Sequence, residues 1–326
     1  MSRTDSIGDV VLTLPMAGFI KKHFPQFKIL FLGRTYTKDV VLLSQFVDEF
    51  INYDEFEKLD FPHQKKYLSN YLINTFVHVF PNKSVARLAK LLKIETRVGT
   101  TNRIYHWFTC NKLIRLSRKN SNWHEAQLNL KLLSFLKANT DVEINNLIPF
   151  YGFKKVQNLK FDILEWIDPS KIKVILHPKS KGSAKEWGLN NFTELINLLP
   201  ENKFQIFISG TNEDEEKMKD FIKLNPKAIN ITGQLTLSQF IVFIQHCDAL
   251  VAASTGPLHI AAALGKKSIG LFTSKRPMHP GRWAPIGKQA KVLVYDKNCQ
   301  LCMAQKDCNC IQNIQAQTVF NLLNEI

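Results

Sequence analysis

Ala249-Leu250-Val251-Ala252-Ala253-Ser254-Thr255-Gly256-Pro257-Leu258-His259-Ile260-Ala261-Ala262-Ala263-Leu264-Gly265 decides the fold class. Its opening run of five apolar residues predicts a strand buried on both faces, because a strand with one wet face would alternate. Pro257 suits the first helical position, Thr255 or Gly256 can cap, and Gly265 can end the helix in the left-handed conformation. The product is a short, Ala-rich helix whose free N–H groups sit at the carboxyl end of a strand, a seat for an anion. The plainer reading of the same residues is a tightly packed strand–helix unit with no ligand. His259, within the first turn, reads either as a core residue or as a contact to a phosphate or sugar hydroxyl.

Outward from this stretch the same grammar repeats. Further strands are expected in the second half at Lys173–His177, Phe204–Ser209, Ser268–Phe272 and Lys291–Val294, and in the first half at Lys28–Gly33, Phe76–Phe80 and, more weakly, Arg97–Gly99. Amphipathic helices are expected at Asn191–Leu199, Glu213–Leu224 and Leu237–Cys247. Strand and helix alternating twice over predict an α/β protein with two Rossmann-like domains and parallel sheets, and 326 residues suffice for two cores. The expected domains are 1–165 and 166–314, with Pro169 breaking the pattern near the join. Residues 315–326 form a terminal helix that can cross back to the first domain. A Rossmann-like domain opens with a strand, yet the loop Asp5-Ser6-Ile7-Gly8-Asp9 arrives after four residues. Either Ser2–Thr4 is a reduced strand or the start lies inside a longer natural one, and the second is preferred.

Two further loops can carry chemistry. Pro178-Lys179-Ser180-Lys181-Gly182-Ser183-Ala184-Lys185-Glu186-Trp187 follows an expected strand and offers lysines and hydroxyls to a diphosphate. Its spacing is not that of a Walker loop, so ATP hydrolysis is not implied. Asp9 sits at the mouth of a helical run. It reads as a capping carboxylate or as a general base facing a cleft between the domains.

Charge narrows the partner. The net charge is +15; residues 1–160 hold 24 basic and 13 acidic side chains, and residues 81–120 hold ten basic groups against Glu95 alone. Such a field suits an anionic partner, namely nucleic acid, an anionic membrane or a phosphorylated substrate, although solvated helix faces would also account for it. No apolar run approaches the ~20 residues of a membrane span and no signal peptide is visible, so a cytoplasmic protein is expected. Cys110 and Cys247 read as buried thiols. Cys299, Cys302, Cys308 and Cys310 form C-x2-C-x5-C-x-C, which invites a zinc or redox reading. Because the last spacing is tight for structural zinc, reduced thiols in a surface loop are the preferred expectation.

Together, these segments resemble glycosyltransferase family 9, the heptosyltransferase-type enzymes of lipopolysaccharide core assembly. The resemblance covers most of the chain. It rests on Arg3-Thr4-Asp5-Ser6-Ile7-Gly8-Asp9-Val10-Val11-Leu12-Thr13-Leu14-Pro15, on Lys185-Glu186-Trp187 and on Ser254-Thr255-Gly256-Pro257-Leu258-His259, with fainter echoes at His124-Glu125, Arg282-Trp283-Ala284-Pro285 and the cysteine loop. It implies a GT-B architecture of two facing Rossmann-like domains, and inverting transfer with no cofactor and no catalytic metal. Position by position, it makes Asp9 the general base. Ser180, Lys181 and Lys185 would hold the donor diphosphate, Ser254, Thr255, Gly256 and His259 would lie against phosphates and sugar, and Glu215 (or Glu213 or Glu216) would meet the ribose. Many family members carry Asp where this chain has Ser254.

The expected function is transfer of a heptose-like sugar from an ADP-linked donor to a lipopolysaccharide-core or other lipid-linked acceptor. Arg97, Arg103, Arg118 and Lys119 are the expected acceptor contacts, with a peripheral stay on the inner face of the cytoplasmic membrane. A nucleotide-sugar epimerase or hydrolase on the same frame is the enzymatic alternative. A basic nucleic-acid-binding protein is the other, but no helix-turn-helix, zinc-finger or RNA-recognition signature accompanies the charge, and nucleic acid is not an expected partner.

Overall fold

The computed structural model describes residues 1–118, 121–154 and 165–326. The chain divides into two compact units, Met1–Lys154 and Lys155–Ile326. The expected domain boundary at 165/166 borders residues 155–164, which lie outside the described set.

In the first unit β1 (Leu30–Gly33) pairs in parallel with β2 (Glu49–Asn52), and β3 (Thr75–Val77), β4 (Thr96–Thr100) and β5 (Lys112–Ile114) form a parallel trio. Residues 1–3 join the two groups. Ser2 bridges Leu32 on one side and His78 on the other. Leu32 N–H donates to Met1 O at 2.9 Å and Arg3 N–H to Leu32 O at 3.0 Å, while Ser2 N–H reaches Val77 O and Phe80 N–H reaches Ser2 O, both at 3.0 Å. Residues 1–3 thus take the place of the opening strand in reduced form. Its insertion gives the order β2-β1-(1–3)-β3-β4-β5, the 3-2-1-4-5-6 order of a Rossmann sheet.

Leu32, Ile51 and Phe76 from this sheet meet Val85, Leu88 and Ala89 of the helix Lys83–Leu91 in one core. Asn82 starts that helix by accepting Val85 N–H at 3.1 Å. Its exposed face carries Lys83, Arg87 and Lys90.

The second unit holds β6 (Ile172–His177), β7 (Phe204–Ile208), β8 (Ile229–Asn230), β9 (Ala249–Ala253), β10 (Lys267–Phe272) and β11 (Ala290–Val294), all parallel in the order β11-β10-β9-β6-β7-β8. This is again 3-2-1-4-5-6. Its switch point lies between β6 and β9, so the loops after these two strands leave side by side. All five residues of β9 are buried, as the unbroken apolar run requires. Gly287 lets the following loop press on the helix Gly256–Ala263, since a Cβ there would stand 2.2 Å from Ala262 O.

Two expectations are corrected here. The acidic stretch expected as one helix over Glu213–Leu224 is two, Asn212–Lys217 and Lys219–Leu224, broken at buried Met218. The terminal helix, Ala316–Asn324, belongs to the second unit. It packs on the helix Leu189–Leu198, buries Ala316, Val319 and Leu323 in the same core as Trp187 and Phe192, and is pinned where Lys267 Nζ meets Glu325 at 2.9 Å. Among the described residues no helix is long and apolar enough to cross a membrane.

Candidate active site

In each unit a candidate loop leaves a strand at the sheet's own switch point. In the first, the three-residue strand delivers Arg3 into the protein, 3% exposed, directly before the loop that carries Asp9. Arg3 Nε donates to Asp5 at 2.7 Å, and its Nη1 to Glu125 at 3.1 Å and Asn129 at 3.4 Å; its Nη2 donates to Asp9. Ser6 Oγ donates to the other Asp9 oxygen, and Thr13 Oγ1 reaches back to Asp9 O at 2.8 Å. The Asp9 carboxylate is thereby fixed in the first turn of the helix Ile7–Val11 and keeps 17% of its side chain accessible.

The same guanidinium is hemmed in by acids. Burial works against its charge, but Asp9, Asp5 and Glu125 outweigh this and push its pKa up. Asp5 is also pushed up, to about 6, because burial and the neighbouring Asp9 charge overcome Arg3. Glu125 is fully buried and shared by Arg3 and Arg118, whose Nε donates at 2.8 Å, while Arg118 Nη2 donates to Asn129 at 2.7 Å. Asn129 then closes the ring onto Leu12 O and Thr13. Arg118, expected as an acceptor contact, is thus part of the lattice that supports Asp9.

The other basic expectations diverge. Arg97 spends its donors on backbone, Nε to Thr109 O at 2.8 Å and Nη1 to Ile94 O. Arg103 is exposed at the start of the helix Ile104–Thr109, and Lys119 lies outside the described residues. That helix shows Ile104, Trp107 and Phe108 to solvent at 80, 61 and 70% exposure and packs beside Lys83–Leu91. Downstream, an open groove of about 820 Å³ is lined by Arg115, Ser117, Asn122, Trp123 and Lys131, with Lys131 Nζ 4.4 Å from the Trp123 ring centroid.

In the second unit the loop after β6 is held by Glu186. Its Oε1 accepts Ser180 N–H at 3.0 Å and Oγ at 3.2 Å, and its Oε2 pairs with Lys179. Trp187 is fully buried and donates to Ile314 O at 2.8 Å. Two members of Lys185-Glu186-Trp187 therefore hold the loop, while Lys185 pairs with exposed Asp307. Lys181, at positive φ, meets Glu213 at 3.2 Å. Such exposed pairs contribute little to stability. Glu215 accepts from Asn230 at 2.8 Å.

Next to this loop, at the end of β9, Ser254 is half-buried and Thr255 starts the helix Gly256–Ala263. Thr255 makes no capping bond, and its Oγ1 is buried with no protein partner. His259 is buried in that helix's first turn. His177, at the end of β6, lay outside the sequence expectations. Its Nδ1 lies 3.0 Å from Ser209 Oγ, and burial pushes its pKa down to about 4 against the pull of Asp214 and Glu186.

The cysteines correct another expectation. Cys110 and Cys247 are buried, as expected. Cys299, Cys302 and Cys310, however, are also buried, and with half-buried Cys308 they converge instead of lying apart in a surface loop.

Comparison with known proteins agrees with this geometry. The lipooligosaccharide heptosyltransferase 2 of Campylobacter jejuni serotype O:2 is 24% identical over 323 residues, covering 96% of this chain and 93% of its own. The crystal structure of a family 9 glycosyltransferase from Veillonella parvula superposes with a TM-score of 0.82 at 17% identity, covering all of this chain and 96% of that one. The Escherichia coli heptosyltransferase WaaC with ADP superposes at 0.72 and 17% identity, covering 99% and 98%. The fold is therefore the GT-B fold of these transferases. The sequence profile of glycosyltransferase family 9 (heptosyltransferase) matches residues 78–311, and the chain belongs to that family.

Proposed function

We propose that this glycosyltransferase moves a heptose-like sugar from an ADP-linked donor to a hydroxyl of a lipopolysaccharide-core acceptor, with inversion and without a catalytic metal. The observation that carries the reading is the pairing, at the β6/β9 switch point, of a lysine-bearing loop with a helix start that holds a buried, unpartnered Thr255 hydroxyl. A diphosphate there would receive that hydroxyl, the free N–H groups of Gly256–Ala263, and the ammonium groups of Lys181 and Lys185 in exchange for Glu213 and Asp307. The ADP bound by the similar WaaC supports an adenine nucleotide as the carrier.

Asp9 takes the proton of the acceptor hydroxyl as that oxygen attacks the anomeric carbon. The bond to the diphosphate breaks, and the electron pair leaves with a phosphate oxygen whose charge the lysines and helix start neutralise. Single displacement inverts the anomeric centre. Arg3 and Ser6 hold the Asp9 carboxylate in a fixed orientation.

The acceptor side rests on Arg103, the groove around Arg115 and Lys131, and the surface of Lys83, Arg87, Lys90, Ile104, Trp107 and Phe108. Basic groups beside exposed aromatics suit an anionic, lipid-linked acceptor at a membrane surface. Asp9→Asn is expected to lower turnover at least a hundredfold while nucleotide affinity stays within twofold; wild-type turnover in that variant would remove Asp9 from the mechanism. Melting shifts with ADP-, GDP-, UDP- and CMP-sugars identify the donor, and donor supplied alone separates transfer from epimerisation.

A further inference from the structure

The cysteine cluster stands apart from the transfer chemistry. Cys299 precedes one helical turn, Gln300–Met303, that contains Cys302, and Cys308 and Cys310 flank Asn309. This local folding brings all four sulfurs within 4.8 Å of one another. Sγ of Cys299 lies 3.5 Å from that of Cys308, and Sγ of Cys302 lies 3.5 Å from that of Cys310. A disulfide requires a sulfur separation of about 2.05 Å, so neither pair is bonded. Four thiolates around one ion at a metal–sulfur distance of about 2.3 Å would stand about 3.8 Å apart. The observed separations match that tetrahedron far better than two disulfides.

We propose that Cys299, Cys302, Cys308 and Cys310 bind a single tetrahedral ion of the thiophilic class, zinc or iron. Four sulfur donors in a tetrahedron select these metals over magnesium or calcium, which take oxygen. Each ligating thiol gives its proton to solvent as the metal–sulfur bond forms, and no oxidant is needed. The site closes with no position left for substrate, so its role is to brace.

What it braces is the loop of residues 299–310. Thr273 Oγ1, just beyond β10, lies 3.2 Å from Cys302 Sγ and 3.8 Å from Cys310 Sγ, and Cys310 N–H donates to Cys308 Sγ at 3.4 Å. Lys275 Nζ donates to Lys306 O at 3.1 Å on the same loop. Next to Cys308 stands Asp307, the partner of Lys185. The ion thus ties the end of β10 to the residue that pairs with Lys185 of the loop after β6.

The test is metal content by mass spectrometry on the full chain, purified under reducing conditions. One ion per chain is expected in the wild type and in Cys110→Ser, and a loss of at least fivefold in Cys302→Ser and Cys310→Ser. Zinc leaves the protein colourless, whereas iron gives thiolate-to-metal absorption that the variants lose. Should those variants fail to fold, titrating wild-type thiols with a mercurial must release one metal ion per four cysteines. Less than a tenth of an ion per chain in wild-type protein, whether its four thiols are free or joined as disulfides, overturns the proposal. The proposal does not depend on which sugar is transferred, so metal content and turnover fail separately.

Discussion

Replacing Arg3 by Met removes the single cation that serves Asp5, Asp9 and Glu125 together. Methionine fills most of the space, so the loss is electrostatic. Glu125, fully buried, keeps Arg118, and Asp9 keeps Ser6, but Asp5 loses its ion-pair partner. Breaking a buried pair by removing one side costs about 3–5 kcal/mol, and the partial replacements place the expected loss at the lower end, about 3 kcal/mol. For a unit of this size that corresponds to a fall of roughly 6–12 °C in melting temperature. Thermal melts of Arg3→Met and Arg3→Lys at pH 8 and pH 5 are the assay. The Met variant's deficit should shrink at pH 5, where Asp5 with its pKa near 6 is largely protonated. Lys should recover about half, since one ammonium cannot span three carboxylates. An equal deficit at both pH values, or none, would refute the charge argument.

Other outcomes follow from the same residues. Thr255→Val replaces an unpartnered buried hydroxyl by a methyl group, so the unliganded protein should gain about 1 kcal/mol while nucleotide affinity, read by calorimetry, falls several-fold. Burial, then His106 and the terminal amino group, lower His78 to about 3, against about 6.5 when unfolded. Its contribution is therefore complete above pH 6.5 and is lost as pH falls, costing about 2 kcal/mol between pH 7 and pH 5, and denaturant midpoints of His78→Leu should show a flatter acid limb. Trp107→Ala with Phe108→Ala should leave the melt unchanged and cut sedimentation with anionic vesicles at least fivefold.

The second unit was the more legible in sequence. Its strands are long, apolar and followed by clear caps, so β6, β7, β9, β10 and β11 were expected within a residue or so of their bounds. Two-residue β8 offers no period to read. In the first unit β2, with polar Glu49 and Asn52 at its ends, and three-residue β5 gave no usable alternation, and the strand before Asp9 is too short to show one. The position of Asp9 was legible, but not what holds it. Arg3 and Glu125 stand 122 residues apart, and only the sheet brings them together. His124-Glu125 was the one signal in the sequence that could have been joined to Arg3. Likewise Glu186 and Trp187 read as part of a binding motif, while their bonds to Ser180 and Ile314 show them bracing it. The cysteine spacing concealed its convergence because one helical turn, invisible in a four-residue window, folds the ends together.

The central strand of the first sheet has a consequence for biosynthesis. Residues 1–3 leave the ribosome before anything they pair with, and their second neighbour, through His78 and Phe80, emerges nearly eighty residues later. At ordinary translation speeds that delay is roughly 4–15 s, during which the segment lacks one of its two neighbouring strands. The loop that carries Asp9 is thus made well before the last strand that fixes it.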